Sequence, residues 1–316
     1  MKIVVLDGGT LNPGDLSWRS MKRRFGEITT FDQSPAEKII ERAKNAQILV
    51  VNKVIINASI IDQLPKLKYI AVSATGYNNV DVAACKQRGS LVSNISNYGS
   101  NAVAQHAFAL LLGLTNRVEQ HHQAIKEGEW KRRNVFSFWN NSITDLANKT
   151  IGIIGWGHIG QKVGRIAHGF EMNVIYHSSS QHNTSYAKAV TMSELISTSD
   201  VISLNTHLSD KNEAMVDKHF LKQMKPTAFL INTSRGGLIH EPDLVYALQH
   251  EKIAGAGLDV LSVEPAPPDH PLLQLDNCIV TPHNAWASLA ARQNLMAILE
   301  ENIQSFMDGH PQNLIN

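Results

Sequence analysis

Thr150 to Gly160 constrains this chain more than any other stretch. Thr150–Ile154 is an apolar run of strand character, and Gly155-Trp-Gly-His-Ile-Gly160 follows it without a spacer. A GxGxxG turn between a buried strand and a helix start belongs to a βαβ unit, and the next strand pattern, Asn173–Tyr176, falls where that unit needs it. Gly155 permits the tight turn, Gly157 lets a pyrophosphate approach the backbone, and Gly160 lets the helix pack on the strand. The first helical residues, His158 and Ile159 among them, offer free N–H groups and the positive end of the helix dipole to phosphate oxygens. The turn therefore predicts a dinucleotide-binding domain of Rossmann type.

The same rhythm runs through the rest of the chain. Strand patterns at Lys2–Leu6, Gln47–Asn52, Lys68–Ser73 and Ser90–Asn94 alternate with helical ones such as Pro35–Lys44 and Val80–Arg88. From Thr150 onward there are six strand patterns: Thr150–Ile154, Asn173–Tyr176, Val201–Leu204, Ala228–Asn232, Ala256–Asp259 and Cys278–Thr281, the number in a complete dinucleotide-binding sheet. Such alternation predicts parallel sheets with helices on both faces. Ile70-Ala-Val-Ser73 is apolar almost throughout, as a strand covered on both sides should be. Between the two halves, about Asn101 to Glu127, Ala104, Phe108, Leu111 and Leu112 share a helical face, and Gly128 supplies a stop. One long connecting helix is expected there. Ala287–Met307 is helical in pattern, with no strand after it.

With 316 residues the length suits about two domains. Hydrophobic residues at 43% and charged residues at 18% describe a globular chain, and a net charge of +1 gives no reason to expect a nucleic-acid partner. The clusters Arg19-Lys22-Arg23-Arg24 and Lys131-Arg132-Arg133 fit solvated faces. Cys85 and Cys278 stand far apart, so no disulfide framework or zinc cage is expected. Fourteen histidines raise the question of a metal, but no HExxH or ligand spacing occurs and His121-His122 point to different parts of a helix surface, so none is expected. MKIVVLD starts as a strand, not as a signal peptide, and no apolar run reaches the ~20 residues of a membrane span. A cytoplasmic location is the default expectation.

Three later segments carry chemically useful groups near the carboxyl ends of strands, where open α/β sheets bind ligands. They are Leu230-Ile-Asn-Thr-Ser-Arg235-Gly-Gly, Gly257-Leu-Asp259-Val-Leu-Ser-Val-Glu264-Pro and Thr281-Pro-His283-Asn-Ala-Trp286. Reduction of a 2-oxo acid needs a cation for the carboxylate and carbonyl and a proton donor for the forming alkoxide. Arg235 has the bidentate donors, His283 can carry the proton, and Glu264 can orient His283 and favour its charged form. Each also has a plainer use: an ion pair for Arg235, a loop cap for Glu264, a satisfied turn histidine for His283. Their joint occurrence downstream of a dinucleotide turn favours the chemical reading.

These segments, with Ala74-Thr-Gly-Tyr-Asn-Asn-Val-Asp81, Val103-Ala-Gln-His-Ala-Phe108, Met224-Lys-Pro and the GxGxxG turn, resemble the D-isomer-specific 2-hydroxyacid dehydrogenase family from end to end. The resemblance implies a Rossmann dinucleotide-binding domain, residues 101–286 with the hinge helix, inserted into a flavodoxin-like substrate domain of residues 1–100 and 287–316. It also implies an active site in the cleft and a homodimer. By position, Arg235, Glu264 and His283 are the implied catalytic set. Thr233, Ser234, Asp259 and His283 fall at the nicotinamide half, Thr206 joins the cofactor set, and Ala74, Thr75 and Gly76 form the loop whose N–H groups hold the substrate carboxylate, beside Arg235. Within the family, the 74–81 loop, Gly128-Glu-Trp130 and the 281–286 stretch are most similar to glycerate dehydrogenases, or hydroxypyruvate reductases, so hydroxypyruvate or glyoxylate is the substrate implied. Phe138, Trp139 and Trp286 are candidates to wall the pocket, with ordinary packing slightly favoured for the first two.

The chain departs from the family pattern after the second cofactor-domain strand. Tyr176-His-Ser178-Ser-Ser180 has Ser178 where an acidic residue usually holds the ribose hydroxyls. Without that carboxylate nothing repels a 2′-phosphate, so NADP(H) is expected in preference to NAD(H), although no arginine stands adjacent. His207 replaces a common proline and Gln105 a frequent glutamate. Two alternatives share the fold: formate dehydrogenase, in which a Gln replaces the acidic partner, and a nucleotide-sensing corepressor. Glu264 and the intact Arg235–Glu264–His283 set argue against them.

Overall fold

A computed structural model describes residues 1–180 and 182–316. The chain divides into two compact units, Met1–Gly99 with Ala287–Asn316, and Ser100–Trp286.

The first unit is built on a parallel sheet of β1 (Ile3–Val5), β2 (Ile28–Thr30), β3 (Ile48–Val51), β4 (Tyr69–Val72) and β5 (Leu91–Ser93). The strand order β2-β1-β3-β4-β5 is that of flavodoxin-like folds. The β1, β3 and β4 runs are buried throughout because helices cover both faces. The edge strand β2 has no counterpart among the strand patterns, since Ile28-Thr-Thr30 is too short for its alternation to show. Helix Leu289–Met307 belongs to this unit, where Phe306 stacks on Tyr69 with centroids 4.4 Å apart. The buried Arg292 of that helix makes two 2.6 Å bonds to the Asp15 carboxylate, and the hydrogen bond with Arg292 holds Asp15 below its ordinary value.

The second unit is built on a wholly parallel sheet of seven strands: β6 (Thr150–Ile154), β7 (Asn173–His177), β8 (Ala187–Ala189), β9 (Val201–Leu204), β10 (Phe229–Asn232), β11 (Gly255–Leu258) and β12 (Cys278–Val280). The order is β12-β11-β10-β9-β6-β7-β8, the dinucleotide-binding order with one strand added beyond β11. The expected count of six thus misses β8. This strand is a three-residue edge with a lysine at its centre, so it lacks the apolar run of an interior strand. The other six strands lie within a residue or so of their sequence patterns.

The single connecting helix is also corrected. Ser100–Asn116 and Val118–Lys126 are separate helices, broken at Arg117 with φ +51°, and Glu129–Arg133 follows. The Thr115 hydroxyl bonds to Leu111 O at 3.0 Å and to the Asn116 side chain at 3.0 Å. Such local side-chain bonding competes with helix continuation. Helices Ser100–Asn116 and His158–Gly169 cover one face of the sheet, where Leu110, Leu111, Val163 and Ala167 are buried with Ile151 and Ile153. Lys218–Gln223 and Glu241–Gln249 cover the other, burying Phe220, Leu221, Leu244 and Leu248 with Leu230 and Leu258. Among the described residues no helix is long and apolar enough to cross a membrane.

Candidate active site

At the carboxyl end of β6 the chain turns sharply. Gly155 takes φ +95°, and a Cβ there would strike the Asn205 carbonyl beside the Thr206 N–H. Its own N–H bonds to His177 O at 2.9 Å, which ties the turn to β7. At Gly160 a Cβ would strike the Gly155 carbonyl, so the helix approaches the turn as closely as the sequence requires. Gly157 is different, because a Cβ there would meet nothing within 4 Å. It is the N-cap of helix His158–Gly169 and offers no side-chain cap, so the first-turn N–H groups have no capping side chain, and Gly157 and His158 at that end are exposed. Trp156 points the other way. It is 2% exposed and stacks on Tyr176 with centroids 4.3 Å apart.

Beyond β7, His177 Nδ1 lies 3.1 Å from Val190 O. Ser178 is half-buried, with His182 Nε2 3.4 Å from its hydroxyl, while Ser179 and Ser180 are exposed. His182 is a residue that sequence reasoning missed. It lies five positions past β7, outside any motif.

Two polar atoms near the same crest are buried without a protein partner among the described residues: Asn205 Oδ1 after β9 and Thr233 Oγ1 after β10. An unpaired buried hydroxyl costs about 1–3 kcal/mol unless something binds it. An open glycine, free helix N–H groups and an orphaned hydroxyl all fit a dinucleotide laid across these turns. Next to Thr233, Ser234 donates its hydroxyl to Leu204 O at 2.9 Å. The buried Asn232 side chain bridges Ser234 N and Arg235 O at 3.0 and 2.8 Å. It sets the turn from which Arg235 projects, half-buried, with Nη1 2.7 Å from Ser234 O. Asn232 had no separate signal in the sequence because it ends an apolar strand.

At the β11 and β12 ends the polar groups are interlocked. His283 Nδ1 and Glu264 Oε2 are 2.6 Å apart, with side-chain exposures of 25% and 36%. With Nδ1 engaged, Nε2 is the ring nitrogen left to exchange a proton. His283 sits at φ +52°, a left-handed conformation costing about 1–2 kcal/mol. Asp259, 1% exposed, holds it there. Its carbonyl takes His283 N–H at 2.9 Å, and its carboxylate takes Asn284 N–H, Ala285 N–H and the Thr281 hydroxyl at 2.9, 2.9 and 2.7 Å. The Thr281 oxygen in turn accepts from His106 Nε2 at 2.9 Å. Asp259 follows β11 directly, and its carboxylate is filled by its own chain. Trp286 donates its indole N–H to His283 O at 2.9 Å.

Phe138 packs on Trp130 and under the Arg133 guanidinium, 4.7 Å above its ring, and Trp139 is largely exposed. In the first unit, the Ala74–Gly76 loop follows β4. Its Thr75 hydroxyl and carbonyl are tied to Ile95 O and Asn94 Nδ2 at 2.8 and 2.7 Å. Among the described residues no protein acceptor meets the N–H of Thr75 or Gly76.

Residues 108–285 match the family described as D-isomer specific 2-hydroxyacid dehydrogenase, NAD binding domain. The chain is 41% identical to a hydroxypyruvate reductase of Blautia hydrogenotrophica, covering 100% of both proteins. It is 39% identical to a glycerate dehydrogenase of Methylorubrum extorquens over 88% of each. Among solved structures, an acyclic imino acid reductase in complex with NADPH and D-Arg superposes with a TM-score of 0.87, at 35% identity and over 100% of both chains.

Proposed function

The chain belongs to the D-isomer specific 2-hydroxyacid dehydrogenase family, and from that premise we propose that it reduces a small 2-oxo acid at C2, with hydroxypyruvate or glyoxylate as substrate and NADP(H) as cofactor. The observation that carries this reading is the 2.6 Å His283–Glu264 pair at the ends of the sheet whose β6 opens onto the glycine turn. The overall change balances as 2-oxo acid, reduced dinucleotide and one proton giving D-2-hydroxy acid and oxidised dinucleotide.

When bound, the nicotinamide supplies the hydride. Gly155, Gly157, His158, Ile159 and Gly160 are proposed to hold its pyrophosphate, and Thr206, Thr233 and Ser234 to line its path. Arg235 pairs with the substrate carboxylate and carbonyl, its planar fork matching two oxygens at once. The N–H groups of Ala74, Thr75 and Gly76 are proposed as further carboxylate donors. As negative charge develops on the carbonyl oxygen, His283 Nε2 gives up its proton to it, and Glu264 on Nδ1 stabilises the imidazolium beforehand. In the reverse direction the same nitrogen is the base. Asp259 acts through the loop it holds.

The proposed preference for NADP(H) rests on Ser178, which brings no negative charge to the ribose, and gains a second polar candidate in His182, 3.4 Å from the Ser178 hydroxyl. A homodimer is supported by the exposed apolar side chains between residues 135 and 143, where Phe136 is 96% exposed. Light scattering on a sizing column tests it, and a monomer at micromolar concentration would refute it. The cytoplasmic location belongs to the same proposal and is open to cell fractionation.

The functional test is the loss of reduced-nicotinamide absorbance with hydroxypyruvate, glyoxylate, pyruvate and, in the reverse sense, formate. Turnover with hydroxypyruvate or glyoxylate, higher with NADPH than NADH, is expected. No turnover with any 2-oxo acid beside tight dinucleotide binding would favour a sensor, and formate oxidation would favour the other enzyme class.

A further inference from the structure

The Leu261–Ser262 peptide is held from two sides. On one side it lies against Gly236, the residue after Arg235, where any Cβ would strike the Leu261 carbonyl and the Ser262 nitrogen. On the other stands Glu241, the first residue of helix Glu241–Gln249. Its Oε1 takes the Ser262 N–H at 2.7 Å, and its Oε2 takes the Ser262 hydroxyl at 2.7 Å. His270 Nε2 lies 3.3 Å from the same Oε2. His270 Nδ1 accepts the Leu272 N–H at 3.3 Å, so the neutral ring carries its proton on Nε2 and donates it to Glu241.

The pair is well shielded, with side-chain exposures of 12% for His270 and 13% for Glu241. Both carboxylate oxygens are thus used by charge-assisted bonds in a low-exposure setting. Among the described residues, none of these bonds serves the first turn of its own helix, so Glu241 is not acting as a helix cap. The adjoining peptide unit, one bond back along the chain, leads to the acid–base pair: Leu261 N–H donates to Glu264 Oε1 at 3.0 Å, and Glu264 Oε2 meets His283.

We propose that Glu241 is a positioning residue for the reaction: by clamping Ser262 it fixes the Leu261–Ser262 peptide and so aims the Glu264 carboxylate at His283. The inference rests on the reading of Glu264 and His283 as the acid–base pair. Glu241 does not touch His283, and acts through the Leu261–Ser262 peptide, which also packs against Gly236 after Arg235, and through the Leu261 N–H that adjoins it. Asp259 is filled by Thr281, Asn284 and Ala285, with His106 3.5 Å from its carboxylate. On the Glu241 helix, Asp243 pairs with His240 at 2.9 Å.

The experiment is the pH profile of kcat and KM for hydroxypyruvate reduction in wild type, Glu241→Ala, Glu241→Gln, Glu264→Gln and the double variant Glu241→Ala/Glu264→Gln. Loss of the clamp should lower kcat by about tenfold or more, the scale of a small misplacement of a reacting group, while KM changes by less than about twofold. The alkaline limb should move to lower pH in Glu241→Ala, in the same direction as in Glu264→Gln. The double variant should be no slower than Glu264→Gln alone, because both changes break one chain of contacts. Glu241→Gln should fall between, since its amide keeps one acceptor for Ser262 but turns an NH₂ toward the His270 N–H. If Glu241→Ala does not fold, Glu241→Gln and Ser262→Ala carry the same comparison.

A shifted Glu264→Gln profile beside unshifted Glu241 variants overturns the inference alone, as does an additive double variant. A wild-type profile in Glu264→Gln overturns the acid–base pair itself, and the inference with it.

Discussion

Two regions at the carboxyl ends of one sheet treat their polar groups in opposite ways. The turns after β6, β9 and β10 leave groups unfilled: the open side of Gly157, the first N–H groups of helix His158–Gly169, and the buried Asn205 Oδ1 and Thr233 Oγ1. The turns after β11 and β12 fill theirs, with Asp259 taking three carboxylate bonds and Glu264 bridging Leu261 N–H to His283. The difference separates two demands. A site for a ligand that comes and goes must leave polar groups for that ligand to engage. A site that must keep a proton donor in one orientation, here against an unfavourable backbone angle, needs every neighbouring lone pair engaged. Damage to the first region should appear in dinucleotide affinity, and damage to the second in turnover.

The largest expected effect comes from the filled region. His283→Ala should lower kcat for 2-oxo acid reduction by about 10²–10⁴, the scale of a general acid. NADPH affinity, read by quenching of intrinsic tryptophan fluorescence, should stay within about twofold, because no phosphate donor is altered. Arg235→Ala should behave likewise, with Arg235→Lys retaining more because it keeps the charge while losing the fork. A His283→Ala enzyme that loses dinucleotide affinity along with turnover would erase the distinction between the regions.

The open region gives the next effect. Ser178→Asp places a carboxylate where a 2′-phosphate would sit. The ratio of NADPH to NADH catalytic efficiency should fall by about tenfold or more, the scale of two like charges at close range near a protein surface. Turnover with saturating NADH should change little. A wild-type enzyme that already prefers NADH strongly would show that the hydroxyls beyond β7 do not serve a phosphate.

The two regions were also unequally legible in the sequence. The glycine turn could be read almost atom by atom, because each glycine answers a local steric need and the need is visible in the spacing. Gly155 takes its positive φ and Gly160 its close approach. The strands of the sheet interior were legible for the same reason, as runs buried on both faces. The edge strands β2 and β8 were not, being three residues each with one side open. The break at Arg117 was hidden because Ser100–Asn116 and Val118–Lys126 together keep helical spacing, while the break itself is a single residue of ordinary type at positive φ. In the filled region, the sequence offered Glu264 and His283 as separated motifs 19 residues apart, which meet at 2.6 Å. It gave no sign of Glu241, His270 or Asn232, whose parts depend on contacts with residues distant in the chain. It did single out Asp259, but its carboxylate serves the His283 loop.

The smallest expected effect is a control at the opposite ends of the same strands. Asp200 precedes β9. It accepts Thr150 N–H at 2.9 Å and pairs with Lys225 at 2.9 Å, so it fastens the start of β6. Burial raises its carboxyl, but the bonds from Thr150 and Lys225 outweigh it and hold the folded value below the ordinary 3.8. A carboxylate whose folded value is depressed contributes stability at pH above its unfolded value. That contribution is lost as pH falls through the folded value. Asp200→Asn should therefore melt lower than wild type at pH 7, by about 2–4 °C for a loss of about 1 kcal/mol in a unit of this size. The gap should be unchanged down to about pH 5 and begin to narrow below pH 4, as pH falls toward the folded value and wild type starts to lose the same charge. Turnover and NADPH affinity at pH 7 should match wild type, since Asp200 lies at the amino ends of the strands. Differential scanning fluorimetry across pH 3–8 reads the first expectation and steady-state kinetics the second. A melting gap that does not narrow at all between pH 5 and pH 3 would mean that Asp200 contributes through packing rather than charge. A drop in turnover at pH 7 would mean that the two ends of the sheet are coupled, and that the division between a holding end and a reacting end is too sharp.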